Sequence, residues 1–90
     1  MFYVVSYDIA DNRRRNRLFK AMKGFGSWRQ YSVFECELDS RQLDRLLRVV
    51  ARLTKKGDDS VRIYPVCGNC LEKVKVFGGS LNRTPQAFIV

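Results

Sequence analysis

Asp8 closes an apolar run, "VVSYD", and four arginines, Arg13, Arg14, Arg15 and Arg17, follow within nine positions. A carboxylate beside guanidinium groups can be an ion pair tying a strand to the next helix. It can equally be half of a site, with the acid on a hard cation and the arginines on phosphates. One carboxylate is too few for a metal cage, since Mg2+ takes one or two carboxylates plus phosphate oxygens and waters. A second copy of the chain would supply a second Asp8. The sequence holds no histidine. That removes a histidine general base, a Ser-His-Asp triad and any His metal ligand, so hydrolysis here must run on carboxylates, a metal or a polarised water.

Two further motifs carry less. "KGFGSW", residues 23–28, opens like the RNP1 pattern of RNA recognition motifs, but Ser27 and Trp28 break it and the stretch closes a helix. Gly24 and Gly26 are read instead as cap and turn glycines. Cys67 and Cys70 form a C-x-x-C, yet a zinc site needs two such pairs and Cys36 is the only other thiol. A tight turn with small buried thiols is the expectation.

The elements that must position Asp8 follow from periodicity. "MFYVVSYDI" reads as a strand with Phe2, Val4, Ser6 and Asp8 on one face and Tyr3, Val5, Tyr7 and Ile9 on the other. Both faces are mostly apolar, which makes it central in its sheet or covered on its second face by another subunit. From an Asp11 or Asn12 N-cap to Gly24 the pattern is helical, with Leu18, Phe19 and Met22 as the apolar stripe. Arg13, Arg17 and Lys20 fall on the opposite face. Arg15 falls inside the apolar arc, and an inward arginine calls for an anionic partner. "QYSVFECEL", residues 30–38, alternates as a second strand. A second helix from Asp39 or Ser40 to Gly57 follows, with Leu43, Leu46, Leu47, Val50 and Leu53 inward. Arg41, Arg45, Arg48, Arg52, Lys55 and Lys56 cover its reverse face. "SVRIYPV", "EKVKVF" and "PQAFIV" read as three more strands. The order predicts an α+β, ferredoxin-like βαββαβ sandwich over residues 1–90 with an extra C-terminal strand. That leftover apolar strand pairs on a neighbour's edge, which signals a homodimer.

Ninety residues allow one domain with a thin core, burying about 60 to 65% of the surface the unfolded chain exposes. Seventeen Lys and Arg against nine Asp and Glu give +8, a balance that suits a polyanionic partner such as nucleic acid. No apolar run approaches the roughly 20 residues of a membrane span. An odd cysteine count fits a reducing compartment, so the expectation is a cytoplasmic protein without a membrane contact.

Taken together, "VVSYDIADNRRRNRL", "QYSVFECEL", "DDSVRIYPVCGNC" and "VFGG" resemble the small CRISPR-associated endonucleases, the second of the two near-universal proteins of spacer acquisition. The resemblance covers nearly the whole chain. It implies a ferredoxin-like homodimer whose two Asp8 carboxylates face each other and bind Mg2+. It further implies metal-dependent cleavage of RNA or DNA phosphodiesters, and a role bridging integrase dimers. Double-stranded DNA and single-stranded RNA are the implied nucleic-acid partners, and the spacer integrase the protein partner. Carried over by position, Tyr7 and Asp8 are the catalytic pair, with Asp8 the metal ligand. Arg15, Arg17, Arg29 and Phe34 stand at nucleic-acid-binding positions. Where some members have an arginine two residues before Gln30 this chain has Trp28, with Arg29 following. Two rival readings use the same charge: a non-catalytic adaptor that clamps duplex DNA, and a toxin-type ribonuclease of related fold.

Overall fold

The computed structural model describes residues 1–78. Strand β1 (Phe2–Asp8) leads to helix α1 (Asn12–Met22), a hairpin of β2 (Ser27–Gln30) and β3 (Val33–Glu37), helix α2 (Ser40–Leu53), strand β4 (Ser60–Val66) and a short helix α3 (Gly68–Glu72). The strands form one antiparallel sheet in the order β2-β3-β1-β4. This is the βαββαβ arrangement expected from the sequence. β1 is central, with Val5 opposite both Phe34 of β3 and Ile63 of β4.

Local chemistry sets the helix ends. Asp11 N-caps α1 by accepting the Arg14 N–H at 2.9 Å. Asp39 and Gln42 form a reciprocal capping box that starts α2. The main core joins Val5, Tyr7 and Ile9 of the β1 segment to Leu18 and Met22 of α1, Leu46 of α2, and Phe34, Cys36 and Leu38 of the β3 segment. The odd-numbered face of β1 is thus the face against the helices. The even-numbered face carries Ser6 and Asp8 away from them.

Several boundaries differ from the sequence reading. The expected single strand over 30–38 is a hairpin: Ser27–Gln30 pairs with Val33–Glu37 across a turn in which Tyr31 takes a left-handed backbone, φ 45°. The register shifts between Trp28 and Gln30, a bulge at Arg29. Gly26 has a packing reason, since a Cβ there would sit 2.3 Å from the Glu35 carbonyl oxygen and 2.5 Å from Cys36 Sγ. Helix α2 stops at Leu53, not Gly57, and Leu47 is 47% exposed instead of inward, because the stripe facing the sheet is narrower than its leucines. The expected strand "EKVKVF" is not one: Glu72 ends α3, and 73–78 form no ladder. "CGNC" is the start of α3, with both thiols exposed rather than buried, because the turn stands off the main core. The strand expected in "PQAFIV" lies outside the described residues.

Candidate metal and nucleic-acid site

Asp8 is the last residue of β1 and is exposed, paired in register with Ser60, while Ser6 pairs with Arg62 and Val4 with Tyr64. Period two then brings Ser6, Asp8, Ser60, Arg62 and Tyr64 to the face that α1 and α2 leave open. Together with Tyr7 they line a shallow depression of about 270 Å³. Arg62 Nη1 lies 3.5 Å from the Tyr64 hydroxyl, a long hydrogen bond beside the acid. Besides the tyrosine hydroxyls, the side-chain oxygens of the lining residues are one carboxylate and two serine hydroxyls. These are hard ligands of the kind Mg2+ takes with phosphate and water completing its shell. Among the described residues no group of three or more His, Cys, Asp or Glu side chains could hold a metal ion. One chain therefore offers half a carboxylate pair, and the residues fit Mg2+ only with a second carboxylate or a phosphate added.

The ion pair weighed in the sequence, Asp8 with Arg15 or Arg17, does not form among the described residues. The ion pair that forms beside this end of the sheet is Arg14 of α1 with Asp59, just before β4, at 2.8 Å. Arg15 does turn inward, but its guanidinium donates to the Ile9 carbonyl oxygen at 3.2 Å and to Asn12 Oδ1, both neutral. The anionic partner expected for it is absent from the described residues, because the β1–α1 loop presents a carbonyl there. Arg17 is exposed on α1 beside Arg13 and Lys20. Arg29 Nε lies 3.0 Å from Glu35 Oε1 across the hairpin, without hydrogen-bond geometry.

Tyr7 and Phe34 stand behind the site. Phe34 has no exposed surface and stacks with Tyr7 at 6.3 Å between centroids, so it packs behind the site. Burial raises the Tyr7 phenol above its usual range, and the Arg15 charge opposes this in part. Tyr7 therefore stays protonated near neutrality and can donate a hydrogen bond but not act as a base.

A family model described as CRISPR associated protein Cas2 matches residues 1–74. The chain belongs to the Cas2 family. A CRISPR-associated endoribonuclease Cas2 of Synechocystis is 37% identical over 89 residues, covering 98% of this chain and 97% of its own. A CRISPR-associated endonuclease Cas2 of Thermus thermophilus is 47% identical over 76 residues, covering 84% and 80%. A crystal structure of a hypothetical protein from Thermus thermophilus superposes with a TM-score of 0.77 at 46% identity, over 87% of this chain and 90% of that one. The crystal structure of Streptococcus pyogenes Cas2 gives 0.76 over 87% and 100%, at 24% identity, and shows the shared fold. The Cas2 family match runs from β1 through α3 and so includes every residue of the Asp8 depression.

Ser60, Arg62 and Tyr64 were not singled out in the sequence, although the alternation in "SVRIYPV" already puts them on one face. What was missing was the pairing of β4 with β1, which a linear pattern does not give. Asp59 was missed for the same reason.

Proposed function

We propose that the chain is a Mg2+-dependent endonuclease of CRISPR adaptation that acts on RNA or DNA phosphodiesters as a homodimer, together with the spacer integrase. The observation that carries this is Asp8: an exposed carboxylate at the end of the central strand, free of any ion pair among the described residues, in a depression with Ser6, Ser60, Arg62 and Tyr64. The open sheet face around it, with Tyr64 46% exposed, gives a second copy a surface on which to bring its own Asp8 alongside. A divalent cation held there would supply positive charge at the phosphoryl oxygens and acidify a bound water. The chain's own groups do the rest. Asp8 and the serine hydroxyls hold the ion. Arg15 and Arg17, from the first half of α1, take flanking phosphates. Arg62 neutralises charge on the scissile side.

The exposed Arg13, Arg17 and Lys20 on α1 serve a second reading equally well, in which the arginines clamp duplex DNA between integrase dimers and Asp8 performs no chemistry. Asp8→Asn separates the two, since it keeps shape and hydrogen bonding while removing one negative charge per protomer. A nuclease loses Mg2+-dependent cleavage by a few powers of ten, with circular dichroism and dimer mass unchanged. Cleavage that persists undiminished removes Asp8 from the mechanism. An inactive wild type whose Asp8→Asn variant still supports spacer integration establishes the adaptor.

A further inference from the structure

A second groove opens on the other side of Tyr7. Tyr7, Arg15, Asn16, Phe19, Tyr31 and Ser32 line it, with a volume of about 250 Å³. Two observations make it more than a surface fold. The first is Arg15: half-buried, held at two points by the neutral acceptors Ile9 O and Asn12 Oδ1, with no carboxylate within ion-pairing reach among the described residues. Its charge is positioned but not neutralised, so an anion entering the groove would meet it. The second is Tyr31, whose side chain is 88% exposed although it stands on a left-handed backbone, φ 45°, that a tyrosine rarely adopts. The Trp28 indole N–H fixes that turn by donating to the Tyr31 carbonyl oxygen at 2.9 Å, and the Trp28 ring is itself braced edge-on against Phe19 at 5.9 Å. The fold thus holds a solvated aromatic ring at one wall of a groove whose other wall is an uncompensated arginine.

We infer that this groove binds a single unpaired nucleotide of a nucleic-acid strand, with Tyr31 stacking on the base and Arg15 holding its phosphate. The volume stands just under the usual range of ligand clefts, roughly 300 to 1,000 Å³, and leaves no room for a duplex segment. Stacking on an aromatic face tolerates any base, while a duplex keeps its base faces covered by their neighbours. Asn16 adds an amide able to donate and accept at a base or sugar edge. The exposed Arg13, Arg17 and Lys20 of α1 continue the positive surface along which the rest of the strand runs. The inference rests on the nucleic-acid reading above and refines it. The chain discriminates unpaired from paired positions, by a ring on the β2–β3 turn.

Fluorescence anisotropy with the full-length chain tests this, using a labelled single-stranded oligodeoxynucleotide of mixed sequence and the blunt duplex of the same sequence. Tyr31→Asn removes the ring but keeps a residue at ease in the left-handed region, and Tyr31→Phe keeps the ring. The asparagine variant should lose roughly 5- to 150-fold in affinity for the single strand, the equivalent of one stacked base. Its duplex affinity and its salt dependence should not change, because stacking releases no counterions. The phenylalanine variant should bind as the wild type does. Unchanged single-strand affinity in Tyr31→Asn, or an equal loss for strand and duplex, overturns the inference. If the wild type binds duplex in an Arg17-dependent way while Tyr31 is silent, only the groove assignment falls; if the wild type binds neither probe, the nucleic-acid reading falls with it.

Discussion

Arg14 and Asp59, 45 residues apart in sequence, meet in a two-point contact: Nε donates to Oδ2 at 2.8 Å and Nη2 to Oδ1 at 3.1 Å. The carboxylate also accepts the backbone N–H of Ala10 at 3.0 Å and of Lys55 at 2.8 Å. One buried side chain thereby joins the loop after β1, the first turn of α1 and the loop before β4. Those are the segments that set where Asp8 and Arg15 lie relative to each other.

Acid sensitivity should follow from this contact. The Arg14 hydrogen bond, with the two backbone donors, holds the Asp59 carboxyl well below the usual carboxylate range. A depressed folded-state pKa means that the unfolded chain takes up the proton first. The stabilisation is therefore complete above about pH 4 and is lost as pH falls further. Thermal melts across pH 2 to 6 should show the midpoint falling below roughly pH 4. In Asp59→Asn the midpoint should be lower by several degrees at neutral pH and the fall with acid shallower. Parallel curves for the two proteins would assign the acid response to other carboxylates.

Arg17 should act on affinity without acting on the fold. It is exposed on α1 and makes no ion pair among the described residues. Arg17→Ala should weaken nucleic-acid binding about uniformly across sequences and make the log-log salt slope shallower by about 0.9, the counterion release of one phosphate contact. Titration at several salt concentrations reads this directly. An unchanged slope would mean that Arg17 touches no phosphate.

The three cysteines should separate by reactivity. Burial, with the Glu35 charge adding to it, pushes the Cys36 thiol up to about 11, and the side chain is closed off in the core. Cys67 and Cys70 are exposed, and hydrogen bonds led by the Cys70 backbone N–H lower the Cys67 thiol. Maleimide at neutral pH should label Cys67 first and leave Cys36 unmodified until the protein is denatured, as peptide mass mapping would show. Early labelling of Cys36 would mean that β3 opens readily.

How far the sequence carried depended on the range of the interactions. β1, α1 and β4 were legible because each is set locally, by alternation in "FYVVSYD" and "SVRIYPV" and by the Asp11 cap. Asp8 stood out by its type alone, an acid ending an apolar strand. The β2–β3 hairpin was read as one strand because the turn at Tyr31 and Ser32 lacks glycine, and only pairing with β3 makes Ser27–Gln30 extended. Arg15 faces inward as its helical angle predicts, but it meets the Asn12 amide oxygen and the Ile9 carbonyl instead of an anion, and no side-chain pattern encodes the carbonyl. Arg62 reaches the Asp8 site through a register between β1 and β4, which the linear sequence leaves free.

The central place of β1 in the sheet governs the order in which the molecule can assemble. The strand precedes β4 in the chain by both long helices, so one of its two edges must wait for β4. The β2–β3 hairpin and the capped helices rest on near neighbours in sequence, whereas pairing β1 with β4 joins distant ones, the kind of contact that slows folding. Until then a seven-residue apolar strand presents an open row of backbone donors and acceptors, the configuration most prone to pairing with the wrong chain. The depression around Asp8 is complete only when β4 is paired, because Ser60, Arg62 and Tyr64 come from it. Without that pairing the chain carries Asp8 but not its Ser60 and Arg62 neighbours.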